Sequence, residues 1–205
     1  MTGKLKIYGD PISGNCLKTK WTADYLGLDY EWISLDIRKG ETRTDEFLAI
    51  NPFGQVPTAV LADGRVLTQS NAIMVYLVEA HNGDLLPSDP YDRGRAFKWL
   101  FWEQNSHEPY IAGRRYRKAY LGHDDSQIDA EWIPRGNAAL GLMEDALQEA
   151  DYLAGDRLTL ADIAVVAYTR VAHEGGFDLS DFPAVRAWIA RVEKDLRLEP
   201  VAETT

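Results

Sequence analysis

At 205 residues and 45 % hydrophobic composition, the chain is long enough to bury a core, as one large domain or two small ones. A net charge of −10 and an isoelectric point near 4.9 argue against nucleic acid and anionic membrane surfaces as partners, since both require a basic face. A single cysteine excludes an internal disulfide, and the dispersed His81, His107, His123 and His173 offer no metal-ligand spacing, so no metal is expected.

No apolar run approaches the ~18 residues of a membrane span, and "MTGKLKIYGD" lacks the apolar centre of a signal peptide; a cytoplasmic protein is expected. Residues 4 to 8, "KLKIY", alternate like a strand. After the Gly9 to Gly14 turn, Leu17, Trp21, Tyr25 and Leu28 recur at helical spacing, which predicts an amphipathic helix with those residues on its buried face. "YEWISLDI" (30 to 37) reads as a second strand, and "TDEFLAI" (44 to 50) as a short helix opened by Thr44. "TAVL" and "RVL" read as strands around an Asp63-Gly64 turn. A third helix begins at Ser70, with Ile73, Tyr76, Leu77 and Ala80 on one face, and "HNGDLLPSDP" follows as a linker.

Past residue 90 no strand is expected. "YDRGRAFKWLFWEQNSHEPYIAGRRYRKAYL" reads as one long helix, followed by helices near 126 to 150, 160 to 173 and 184 to 195. The helix near 160 carries the sharpest local signal: Thr159 and Asp162 form a capping box, with Leu158 and Ile163 placed to staple across it. A carboxylate there is already explained by free backbone N–H groups, so Asp162 is read as structural. The chain is therefore expected to hold a small α/β domain over residues 1–82 and an all-α domain over 90–205.

The chemistry concentrates in three segments. "DPISGNC" places Ser13, Asn15 and Cys16 at the turn between the first strand and the first helix. "NPFGQVPT" sets Pro57 at a strand's first residue, where its missing N–H does least harm. Gln69-Ser70 ends a strand and opens a helix, so Ser70 offers a hydroxyl and first-turn N–H groups to a carboxylate.

In this order and spacing, the Ser turn, the N-P-x-G-x-V-P segment, the Gln-Ser pair and the later "LTLADIAVVAY" resemble the cytosolic glutathione S-transferase family over nearly the whole chain. The closest resemblance is to its serine-type bacterial, phi and theta-like branches. The resemblance implies a thioredoxin-like N-terminal domain that holds glutathione and a helical C-terminal domain that lines a pocket for a hydrophobic electrophile. The co-substrate thiol has a pKa near ~8.5, so the protein must favour the thiolate. Ser13 matches the catalytic serine, donating to the sulfur, with Asn15 near the same sulfur as a second catalytic candidate. Cys16 is the rival centre: in other branches a cysteine forms a mixed disulfide with glutathione, which would make the protein a disulfide or peroxide reductase. A lone cysteine in a helix is otherwise a small buried hydrophobe. A noncatalytic binding or regulatory protein of the same fold is the third alternative.

For glutathione itself, the resemblance assigns Gln69 and Ser70 to the γ-glutamyl end. The backbone of Val56, aimed by a cis Pro57, goes to the cysteinyl unit, and Gln55, Thr42 and Arg43 go to the glycyl carboxylate. Tyr110 and Tyr116 are the candidate pocket residues. Trp99, Phe101 and Trp102 are read as core, and the run Arg114, Arg115, Arg117, Lys118 as a solvated helix end. Members of the family are usually homodimers, and Phe53 stands where an aromatic inserts into the partner.

Overall fold

The computed structural model describes residues 3–201, and the chain divides into two units, Met1–Asp84 and Leu85–Thr205. In the first unit, strands β1 (Leu5–Gly9), β2 (Tyr30–Ser34), β3 (Thr58–Val60) and β4 (Val66–Thr68) form one sheet in the order β2-β1-β3-β4. β1 runs parallel to β2 and antiparallel to β3, while β3 and β4 form a hairpin whose Gly64 takes φ +87°, a conformation that favours glycine. Between β1 and β2 lies helix α1 (Gly14–Tyr25), a crossover that parallel pairing demands.

Helix α2 (Asp45–Ile50) starts where Thr44 accepts a hydrogen bond from the Phe47 N–H at 3.3 Å. Helix α3 (Ser70–Ala80) packs against α1. The core of this unit is Ile7, Ala23, Ala59, Ile73 and Leu77, with Leu26, Leu28 and Trp32 around it. These branched and small residues lie on the strands and on the helix faces turned towards them, so apolar burial is their main stabilising contribution.

Two local expectations are corrected here. The buried face of α1 is not the Leu17/Tyr25 stripe: Cys16, Lys18, Thr19, Trp21, Thr22 and Ala23 are buried, while Tyr25 is exposed. The burying of a lysine and two threonines hides this face from an apolar-periodicity reading. Strand β2 ends at Ser34, because Asp36 caps a single 3-10 turn at Ile37–Lys39, which a second at Glu41–Arg43 follows.

In the second unit the described residues form no strand, and the regular elements are α4 (Pro90–Trp102), α5 (Glu108–Arg115), α6 (Trp132–Glu149), α7 (Leu160–Thr169) and α8 (Pro183–Asp195), with single 3-10 and π turns between them. Leu85 and Leu86 are not linker residues; both are buried, and the Leu85 carbonyl accepts from Leu160 N at 3.0 Å. The expected long helix is interrupted by π turns at Glu103–His107 and Tyr116–Tyr120. Helix α7 is buried along its full length, as its all-round apolar composition requires.

The Thr159/Asp162 capping box is present at the start of α7. Asp162 accepts from the backbone N–H groups of Leu153 and Thr159, the Thr159 hydroxyl, and the Trp188 indole N–H, all at 2.9–3.0 Å. One carboxylate thus joins the α6–α7 connection, the α7 cap and helix α8. Burial pushes its pKa up, and these four donors oppose that shift.

Candidate functional site

The turn between β1 and α1 is fixed from both sides. Gly9 leaves room for the Trp32 ring, which any side chain there would strike. Asp10, only 3 % exposed, accepts the Ser13 N–H on its backbone carbonyl at 3.1 Å and the Ile12 N–H on Oδ1 at 3.0 Å. Ser13 is the residue preceding the first turn of α1, and its side chain makes no capping bond. Its carbonyl instead receives the Cys16 and Leu17 N–H groups. The hydroxyl is therefore not consumed in starting the helix, the usual fate of a serine at this place.

Cys16 is 0 % exposed. Burial pushes its thiol up from an ordinary 9.0 to about 11, against hydrogen bonds from the Ser13 side chain and the Asp10 backbone. At neutral pH it is a protonated, inaccessible thiol, the opposite of the exposed low-pKa setting that a redox cysteine needs.

Asn15 lies in the first turn of α1, and its Oδ1 accepts the Ser70 hydroxyl at 2.9 Å. Ser70 is the first residue of α3, so this bond sets the opening turns of α1 and α3 side by side. Both turns present N–H groups and the positive end of a helix dipole. Gln69 precedes Ser70 with φ 69° and ψ 114°, a costly conformation for a non-glycine residue, of order ~1–3 kcal/mol. Its side chain is exposed.

The "NPFGQVPT" loop is organised by Asn51, a residue the sequence reading passed over. The buried Asn51 amide donates to the Gln55 carbonyl at 2.8 Å and to Thr58 Oγ1 at 3.0 Å, and its Oδ1 accepts the Phe53 N–H at 3.1 Å. The Val56–Pro57 peptide bond is cis, and Gly54 sits at φ +61° with the Thr42 carbonyl and the Arg43 guanidinium where a Cβ would stand. Arg43 donates Nη1 to the Phe53 carbonyl at 3.2 Å. The loop with Thr42 and Arg43 is thereby joined to the one with Gln55, Val56 and Pro57. Thr42 is only 5 % exposed, whereas Arg43 and Gln55 are exposed.

In the second unit, Tyr110 is half-buried; its hydroxyl accepts from Arg135 Nη1 at 3.1 Å, with the guanidinium 5.6 Å from its ring centre. Tyr116 lies in the second π turn and stacks on Tyr120 at 6.2 Å. The basic run is not a solvated helix end. Arg114 and Arg115 are buried, because Arg114 donates to the Gly175 carbonyl at 2.7 Å and pairs with Asp125, and Arg115 pairs with Glu174 at 2.8 Å. Acidic partners 11 and 59 residues away in sequence gave no local sign of this. Phe101 is 70 % exposed and so is not core, whereas Trp99 is.

Among the described residues no group of three or more His, Cys, Asp or Glu could hold a metal ion, and no helix is long and apolar enough to cross a membrane. Residues 12–80 match the family model "Glutathione S-transferase, N-terminal domain", and residues 107–195 match "Glutathione S-transferase, C-terminal domain". The chain is 31 % identical to glutathione S-transferase D7 of Drosophila melanogaster, over 93 % of this chain and 84 % of that one. A crystal structure of a glutathione S-transferase from Pseudomonas fluorescens Pf-5 is similar at a TM-score of 0.91 and 44 % identity, covering 97 % of this chain and 98 % of that chain. Ure2p in complex with glutathione is similar at a TM-score of 0.85 and 25 % identity, covering 96 % of this chain and 94 % of that chain.

Proposed function

Since the chain belongs to the glutathione S-transferase family, we propose that it conjugates the glutathione thiolate to a small hydrophobic electrophile, with Ser13 as the hydrogen-bond donor to the sulfur. The observation that carries this reading is the Ser13 hydroxyl at the start of α1, not used in capping. A donor there, reinforced by the helix N-terminus, binds sulfur more strongly when it is charged and so lowers the thiol pKa.

Ser70, Asn15 and the two helix N-termini they join are matched to the γ-glutamyl carboxylate. Gln69 faces the adjoining amine, without the charge that a glutamate would bring to that contact. The Val56 backbone pairs with the cysteinyl unit as an added strand does, and Gln55, Arg43 and the loop of Thr42 receive the glycyl carboxylate. Asn15 acts through Ser70 in this reading rather than on the sulfur. Tyr110 and Tyr116 are the aromatic residues proposed to contact the electrophile. The protein works as a homodimer in the cytoplasm, where glutathione is kept reduced.

The test is glutathione-dependent turnover of an aryl chloride activated by nitro groups, together with an ultraviolet titration of the bound thiol. Turnover and a thiol pKa below that of free glutathione support conjugation. Tight glutathione binding with neither property would make the protein a noncatalytic binder. A glutathione adduct on Cys16 would favour the reductase, against the burial of that thiol.

A further inference from the structure

One carboxylate connects the two ends of the candidate glutathione site. Asp10 Oδ1 accepts the Ile12 N–H at 3.0 Å, inside the turn that carries Ser13. Its Oδ2 accepts the Ile37 N–H at 2.8 Å, at the start of the 3-10 turns that carry Thr42 and Arg43. The same residue's carbonyl receives the Ser13 N–H. Just before it, the Gly9 carbonyl accepts from Leu35 N at 3.0 Å.

We propose that Asp10 is the positioning residue of the glutathione site, setting the separation between the Ser13 hydroxyl and the loop that receives the glycyl carboxylate. This inference rests on the functional reading above. Asp10 touches neither the sulfur nor the carboxylate in that reading; it acts through backbone N–H groups on two loops, one 2 and the other 27 residues from it in sequence. An aspartate suits the task because both of its carboxylate oxygens accept here. Asparagine keeps one acceptor and places an NH2 group opposite the other N–H, which then has no acceptor.

The experiment uses the full chain and the variants Asp10→Asn, Asp10→Ala and Ser13→Ala. In ligand-free Asp10→Asn, amide hydrogen exchange should quicken at Ile37 and through residues 38–43, while β1 and α3 keep their protection. Its glutathione KM should rise ~5–20-fold with kcat within about threefold, because the Ile12 bond that orients Ser13 survives. Asp10→Ala loses both bonds and should also lower kcat ~10–100-fold, the scale of a misplaced catalytic group. In the Ser13→Ala background the same change should cost kcat less than about twofold, since groups acting as one unit are not additive; a merely structural loss would repeat in full. Unaltered exchange at Ile37 in Asp10→Asn, or full additivity with Ser13→Ala, overturns the proposal while leaving conjugation intact. A wild-type chain that neither binds nor turns over glutathione overturns the functional reading and this inference with it.

Discussion

The Ser70 hydroxyl donates to Asn15 Oδ1 at 2.9 Å across 55 residues of sequence. If that bond holds two helix N-termini against one carboxylate, Ser70→Ala should raise the glutathione KM several-fold with a smaller effect on kcat. Asn15→Ala should do the same, and the double variant should fall short of the sum by ~0.5–3 kcal/mol, as for residues in one hydrogen-bond network. An Asn15 variant that lowers kcat with KM unchanged would return the amide to the sulfur, where the family resemblance had placed it.

Removal of the Ser13 hydroxyl addresses the chemical step. Ser13→Ala should lower turnover ~10–10³-fold, the value of one oriented donor to an anion, while glutathione affinity stays nearly unchanged. Because Ser13 makes no capping bond, the melting temperature should barely move. A large drop in stability would mean that the hydroxyl serves the helix.

The fold was legible where local rules governed it. The Thr44 start of α2 and the Thr159/Asp162 box each follow from side chains next to the backbone they serve. What stayed hidden depends on distant partners. Lys18 reads as a surface residue yet is buried. Arg114 and Arg115 read as a solvated end until Asp125 and Glu174 arrive from elsewhere in the unit. The π turns that break the expected long helix leave the apolar pattern almost unchanged. In the site, Ser13, Gln69 and Ser70 stood out because their residue types sit at turn and cap positions. Asp10 and Asn51, which hold the loops, showed nothing beyond ordinary turn composition.

Cys16 gives the protein a pH signature. Its folded pKa is raised from 9.0 to about 11, so the native state holds this proton more tightly than the unfolded chain. Stability is then unaffected by Cys16 below pH 9 and falls between pH 9 and 11, by roughly 3 kcal/mol. Urea unfolding of wild type and Cys16→Ala across that range isolates the effect, since all other groups titrate in both. Parallel curves for the two proteins would show that the thiol is not desolvated.

Asp162 should be among the most sensitive positions of the second unit. Asp162→Ala leaves the Leu153, Thr159 and Trp188 N–H groups without their acceptor and should cost ~3–5 kcal/mol, as breaking a buried charged network does. Chemical denaturation measures it directly; a loss below about 1 kcal/mol would mean that solvent replaces the carboxylate.

Phe53 is 67 % exposed, so it does not pack beneath its own loop. Its N–H is held by Asn51 and its carbonyl by Arg43, which fixes the backbone while the ring stands out. A rigid loop presenting an apolar ring has already met the ordering cost that a flexible one meets on association. In a two-fold dimer the contact occurs twice, so Phe53→Ala should weaken association by at least about 2–3 kcal/mol per side, the lower range for a buried aromatic. Sedimentation across a dilution series reads this as a dimer giving way to monomer at far higher concentration than in wild type. A wild-type monomer at micromolar concentration, or a variant that dimerises as tightly as wild type, would remove Phe53 from the interface and leave its exposure to be explained by some other partner.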